Sequence, residues 1–268
     1  MIELIQGDCL EVMPTLPSKS IDMILCDLPY GTTACKWDTV IPFEPLWKEY
    51  KSLIKDRGAI VLFGSQPFTS ALVMSNLIYY KHQWVWSKHL AGNFAVAKYM
   101  PLTVTEDILV FCYGKLNYCP IMTKQKPRIV GGARSKKTGR GFGGLANIYN
   151  KRDEKYPKNL IDFCAEPRRR SMHSSQKPVD LCEYLIKTYT NEGDTVLDNC
   201  MGSGTTGVAC RNLNRNFIGI EKEPEYFEIA KSRIENPDYV KPTKAKTKKK
   251  KQGFFSEEEL DLNIKLVG

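Results

Sequence analysis

The chain has 268 residues, 42% of them apolar, which suffices for one large core or two small ones. No apolar run approaches the ~18 residues of a membrane span. The opening MIELIQGDCLEVM lacks a basic region followed by an apolar one, and nine cysteines without a C-x-x-C pair suit buried thiols in a reducing compartment. These features exclude a membrane protein and a secreted disulfide scaffold, and imply a cytoplasmic location. The charge of +9 is unevenly placed. Fourteen Lys/Arg against four Asp/Glu lie between Lys124 and Arg170, and seven Lys against one Asp lie between Asn236 and Gln252, so the remaining body is acidic. Concentrated positive charge on an acidic body points to a polyanionic partner, because counterion release drives binding to nucleic acid. The three histidines, His82, His89 and His173, have no metal-ligand spacing, so no metal is expected.

Along the chain, short apolar runs alternate with longer amphipathic ones, the pattern of an α/β protein with a mostly parallel sheet flanked by helices. Strands are predicted at Ile2–Ile5 and Ile21–Cys26, a helix at Pro45–Leu53, a strand at Ala59–Phe63 and a helix at Pro67–Asn76. Strands at Gln83–Trp86 and Asp107–Cys112 follow. Between Lys124 and Arg170 the pattern breaks into a Gly-, Arg- and Lys-rich stretch that suits a loop or small appended lobe. The pattern resumes with a helix at Val179–Thr190, a strand at Thr195–Leu197, a helix at Thr205–Asn212, a strand at Phe217–Ile220 and a helix at Glu223–Ile234. The Lys-rich tail has no periodic apolar face. Four regions result: residues 1–123, a basic insert at 124–170, residues 171–235, and a linker and tail at 236–268.

Two segments carry chemistry. In TVLDNCMGSGTTGVAC a β-branched run ends in Asp198, and a turn with Gly202, Ser203 and Gly204 leads into a helix at Thr205. Glycines there let a ligand approach the backbone, and the helix N-terminus offers free N–H groups. The next strand ends in Glu221, nineteen residues after Gly202, where an acid can accept hydrogen bonds from both ribose hydroxyls. The motif suits an adenosine-containing cofactor, and a nicotinamide dinucleotide would fit it as well. Only two strands are predicted from this motif onward, so the cofactor half is last in sequence and central in the sheet, a permuted order.

The second segment is Asp27-Leu28-Pro29-Tyr30, which follows the strand IDMILC directly. Ligands of open α/β sheets bind beyond the carboxyl ends of the strands. An exocyclic base amine is a poor nucleophile because its lone pair is delocalised into the ring. Acceptors on both N–H groups, one from the Asp27 carboxylate and one from the Leu28 carbonyl, would pull the nitrogen toward a tetrahedral shape. Pro29 stiffens the turn, and Tyr30 offers a ring on which an extruded base can stack.

With these residues the sequence resembles the DNA amino-methyltransferases of the beta arrangement, in which the catalytic tetrapeptide comes first and the cofactor loop last. The family pattern [D/N/S]-P-P-[Y/F/W] reads DLPY here, with Leu28 in place of the first proline. His173-Ser-Ser-Gln-Lys177-Pro178 resembles the family's H-P-T-Q-K-P block, and DNCMGSGTTGVA and FIGIEKEPEYFEIAKSRI resemble the blocks around the glycine loop and ribose acid. The resemblance implies a Rossmann-like, S-adenosylmethionine-dependent fold and site-specific methylation of adenine N6. Asp at position 27 favours adenine over cytosine N4, whose enzymes more often carry Ser there. It further implies that Asp8 binds the cofactor's adenine with Cys9 beside it, that Asp27 touches the cofactor, and that His173, Ser175 and Lys177 line its methionine end. By family position, 124–170 is the target-recognition region on double-stranded DNA, with Arg134, Lys136, Lys137 and Arg140 as candidate contacts. A homodimer and a cognate restriction nuclease are further partners compatible with the resemblance. Cytosine C5 chemistry needs a Pro-Cys nucleophile, and this chain has the reverse, Cys119-Pro120. The remaining alternatives are a nicotinamide-dependent oxidoreductase, which leaves DLPY unexplained, and a silent methyltransferase-like DNA-binding protein, against which every motif is intact.

Overall fold

A computed structural model describes residues 1–32, 38–92, 94, 97–130, 150–165 and 176–236, with backbone alone at 127–130 and 150–152. Ten strands and six α-helices lie among these residues. They are β1 (Ile2–Gln6), α1 (Cys9–Val12), β2 (Ile21–Cys26), α2 (Phe43–Leu53), β3 (Ile54–Gly64), α3 (Phe68–Ser75), β4 (Tyr80–Ser87), β5 (Thr105–Phe111), β6 (Thr123–Val130), β7 (Asn150–Lys155), β8 (Leu160–Asp162), α4 (Val179–Tyr189), β9 (Thr195–Asp198), α5 (Thr205–Asn212), β10 (Asn216–Glu221) and α6 (Pro224–Glu235). Every strand and helix expected from the sequence is present. None of the helices is long and apolar enough to cross a membrane.

Eight strands form one sheet in the order β1-β10-β9-β2-β3-β5-β4-β8. All its pairings are parallel except the two made by β5, which runs against β3 and β4. The last two strands in sequence thus insert between the first two, which is the permuted order expected. Central strands of such a sheet are covered on both faces and read as unbroken apolar runs. In β2, Met23 and Leu25 face one core while Ile24 and Cys26 face the other. β3 divides likewise, with Ala59, Val61 and Phe63 on the first face and Ile60 and Leu62 on the second. The first face packs on α4, α5 and α6 through Leu185, Ala209 and Ile234, and the second on α1, α2 and α3 through Cys9, Trp47 and Leu72. This three-layer, doubly wound arrangement is Rossmann-like. Truncating any fully buried Leu or Ile in these layers to Ala costs about 2–5 kcal/mol.

The stretch from Lys124 to Arg170 contains regular structure that the sequence pattern did not reveal. β6 and β7 form a separate two-stranded antiparallel sheet. β8 instead joins the main sheet beside β4, with the Val85 N–H donating to the Asn159 carbonyl at 2.7 Å. Three residues at a sheet edge, with Ile161 as the one buried side chain, leave no periodicity to read.

Candidate active site

The carboxyl ends of β2, β9 and β10 meet at one edge of the sheet. β2 is buried along almost its whole length, and the chain leaves it through Asp27-Leu28-Pro29-Tyr30. The Leu28 side chain is 4% exposed and packs in the core against α1 and α2, which accounts for an apolar residue where the family has proline. Asp38 supplies stiffness to the turn, since its two carboxylate oxygens accept from the Gly31 and Thr32 N–H groups at 2.9 and 3.0 Å.

Asp27 belongs to a buried quartet. The Tyr30 hydroxyl lies 2.6 Å from Asp27 Oδ1 and 3.0 Å from Glu106 Oε1, so its one proton is shared between two carboxylates. The Lys177 ammonium lies 2.6 Å from Asp27 Oδ2 and 3.0 Å from Glu106 Oε1, and it sits over the Phe63 ring at 4.9 Å. Lys88 approaches the far oxygen of Glu106 at 3.5 Å. Burial pushes the Asp27 carboxyl above the usual range, Lys177 opposes that, and Glu106 adds to it by repulsion. Burial also acts on Glu106, but Lys177 and Lys88 outweigh it and hold that carboxyl low. For Lys177, burial favours the neutral amine, while Asp27 and Glu106 override it and raise the ammonium. One face of the Tyr30 ring stacks on Phe68 at 4.9 Å, so a base could use only the opposite face.

A cleft of about 370 Å³ joins Asp27, Tyr30 and Lys177 of this quartet to the glycine loop. Gly204 caps α5 in the left-handed region (φ 75°), and a Cβ there would come within 3.1 Å of Ala230, so both the turn and its packing require glycine. Glu221 Oε2 accepts from the Gly202 N–H and Oε1 from the Glu223 N–H, both at 2.8 Å. Arg233 on α6 clamps the same turn by donating to Ser203 and Thr205. Asp8 caps α1 through the Leu10 N–H at 2.9 Å and pairs with Lys222 at 3.0 Å, which holds its carboxyl below the usual range. Asp198 is 4% exposed, and burial pushes it to about 7 against the bonds from Thr206 and the Cys200 N–H. Below it Cys9, Cys26 and Cys200 lie together, and burial lifts the Cys26 thiol to about 12.

Of the residues expected from the sequence, Asp8, Cys9, Asp27, Leu28, Pro29, Tyr30, Lys177, Asp198, Gly202, Ser203, Thr205 and Glu221 line this one cleft. Gly204 shapes it from behind. His173, Ser175, Arg134, Lys136, Lys137 and Arg140 lie outside the described residues. Sequence reasoning missed Glu106, Gln176 and Tyr226. The cleft suits an adenosyl cofactor: a strand-end carboxylate beside a glycine turn for the ribose, a second carboxylate at Asp8, and room between them and Asp27.

The Asp27–Tyr30 turn and a glycine loop at the carboxyl edge of a permuted doubly wound sheet fit the class of S-adenosylmethionine-dependent methyltransferases. Residues 21–232 match the DNA methylase family, and the chain belongs to it. It is 31% identical over 94% of its length to the DNA adenine methyltransferase YhdJ of Escherichia coli (strain K12), covering 90% of that protein. It is 30% identical over 87% of its length to the Type II methyltransferase M.HpaI of Haemophilus parainfluenzae, covering 74% of it. Among solved structures, that of the M1.HpyAVI–SAM complex matches with a TM-score of 0.59 and 26% identity, over 87% of this chain and all of that one. The protein is a DNA methyltransferase that uses S-adenosylmethionine.

Proposed function

We propose that the protein methylates the exocyclic N6 amine of an adenine turned out of double-stranded DNA at a specific site. The observation that carries this reading is the convergence of the Asp27–Leu28 acceptor pair with the Glu221–Gly202 cofactor loop in one cleft. The adenine specificity of YhdJ, spanning nearly the whole chain, supports adenine. The Type II naming of M.HpaI supports a cognate nuclease as a partner.

When bound, S-adenosylmethionine supplies an electrophilic methyl group on a sulfonium. The chain's own work is to hold and activate the amine. Asp27 accepts one amine N–H and the Leu28 carbonyl the other, which localises the nitrogen lone pair toward the cleft. The open face of Tyr30 receives the base ring. Fixing the amine at about 3 Å from the methyl group turns the encounter into an intramolecular one, worth several kcal/mol of barrier. As the amine gains the methyl group it becomes acidic, and Asp27, raised above the ordinary carboxylate range, is placed to take the proton.

Expression in a methylation-free host, with modified bases mapped by long-read sequencing, tests this directly. The expected outcome is N6-methyladenine at one short recurring sequence. Methylation at cytosine N4 instead would overturn the adenine assignment. Asp27→Ala is expected to leave the DNA unmodified while S-adenosylmethionine affinity by calorimetry stays within a few-fold. Retained methylation would displace Asp27 from the catalytic role.

A further inference from the structure

Asp27 is asked to accept an N–H bond from the target amine, yet both its oxygens already have donors. Tyr30 occupies Oδ1 and Lys177 occupies Oδ2, each at 2.6 Å. Each oxygen keeps a lone pair for a further donor, but both existing donors draw on the carboxylate and weaken it as an acceptor for the amine. Both have the same second partner: the Tyr30 hydroxyl and the Lys177 ammonium each lie 3.0 Å from Glu106 Oε1. Glu106 is itself fixed, with a 10% exposed side chain and its other oxygen toward Lys88. The groups facing it are Asp27 and Tyr30 from the turn after β2, Lys177 ahead of α4 and Lys88 beyond β4. Asp198 at the end of β9 acts on the same cluster through Asp27.

We propose that Glu106 is a positioning residue for methyl transfer: the second acceptor that shares the Tyr30 hydroxyl and the Lys177 ammonium, so that Asp27 stays available to the target amine. This rests on the amine-methylation reading above. A buried ammonium with no second carboxylate would be held by Asp27 alone through a charge-assisted bond, and such bonds are the strong ones. With Glu106 Oε1 3.0 Å from both donors, each can lean away from Asp27 without losing its partner. The negative charge of Glu106 also weakens the grip of Lys177 on Asp27 by competing for it. This sharing moves no net charge into or out of the quartet before the amine proton arrives.

The test uses the full-length protein and a duplex bearing the sequence mapped in vivo, with single-turnover methylation rates followed from pH 5 to 9. Glu106→Gln removes the charge at almost constant shape. Its rate is expected to fall about ten- to a hundredfold, the size of losing one charge-assisted hydrogen bond. S-adenosylmethionine affinity and melting temperature should stay near wild type. The acid limb of its pH profile is expected to move to lower pH, because the repulsion that raises Asp27 is gone. Glu106→Asp keeps the charge with shorter reach, so an intermediate rate with the acid limb in its wild-type place is expected. An unchanged rate in both variants would overturn the proposal. So would a rate loss matched by lost cofactor affinity with the acid limb unmoved, the signature of a purely structural role. If Glu106→Gln does not fold, a wild-type rate for Glu106→Asp suffices to overturn it. Absence of any methylation by the wild-type protein would instead remove the functional reading itself.

Discussion

Asp198 closes β9 beneath the cofactor cleft with 4% exposure, and burial lifts its carboxyl to about 7. An ordinary Asp carboxyl in the unfolded chain titrates near 3.8. Between about pH 4 and pH 7 the unfolded chain therefore releases a proton that the fold retains, and stability falls as pH rises through that window. Above about 7 both states are ionised and the full penalty persists. Asp198→Asn keeps an oxygen for the Cys200 N–H and removes the charge. The ligand-free variant is expected to be more stable than wild type by about 2–4 kcal/mol at pH 8, with the gap shrinking toward pH 4. Thermal denaturation at both pH values checks this, and a gap that does not change with pH would remove Asp198 as its source. The position of this acid was legible, because a β-branched run, an acid and a glycine turn are contiguous. Its strained protonation was not, because it depends on α4 and α5 closing over it.

The glycine loop is held by elements on either side of it. Glu221 at the end of β10 ties down the Gly202 and Glu223 N–H groups, so Glu221→Ala removes the proposed ribose acceptor and leaves two backbone donors unpaired. S-adenosylmethionine is expected to bind at least about tenfold more weakly by calorimetry, with melting lowered by several degrees from the lost backbone bonds. Unchanged affinity would move the ribose contact elsewhere. Gly207 on α5 faces the crossing with α6, where a Cβ would lie 2.4 Å from Ile234 and 2.7 Å from the Phe217 ring. Gly207→Ala is expected to cost about 1–3 kcal/mol by overpacking, despite the better helix propensity of alanine, and denaturant titration reads that loss. At this scale the sequence was most legible where structure is local. β2, β3 and β10 show as apolar runs because both their faces are covered. α1 is only four residues long, and β6 carries Pro127 among charged residues, so neither has a readable period. Glu106 was illegible for a different reason. It lies near the start of β5, and a strand start should lie far from the site. Only because β5 runs antiparallel does its beginning reach the carboxyl ends of its neighbours, and strand direction is not written in TEDILVF.

Across the whole molecule, charge separates from chemistry. The cleft is built from the acidic body, while the net charge of +10 between Lys124 and Arg170 lies in the chain segment between the two halves of the site. Within this segment β8 joins the main sheet beside β4. The acidic body disfavours a phosphate backbone, so the basic segments are the expected source of affinity for DNA. Each phosphate neutralised lowers the slope of log affinity against log salt by about 0.9 on duplex DNA. Replacing Arg134, Lys136, Lys137 and Arg140 together by Ala is expected to flatten that slope by up to about 3–4 and to weaken binding most at low salt. S-adenosylmethionine affinity should not change, because the described lining of the cofactor cleft consists of other residues. Replacing the seven lysines between positions 241 and 251 in a parallel variant separates the two basic segments. If the insert guides recognition and the tail adds only general attraction, the insert variant loses discrimination between the mapped sequence and unrelated duplexes. The tail variant should then weaken binding to both equally. A salt slope unaffected by the insert substitutions would remove those four residues from the DNA interface.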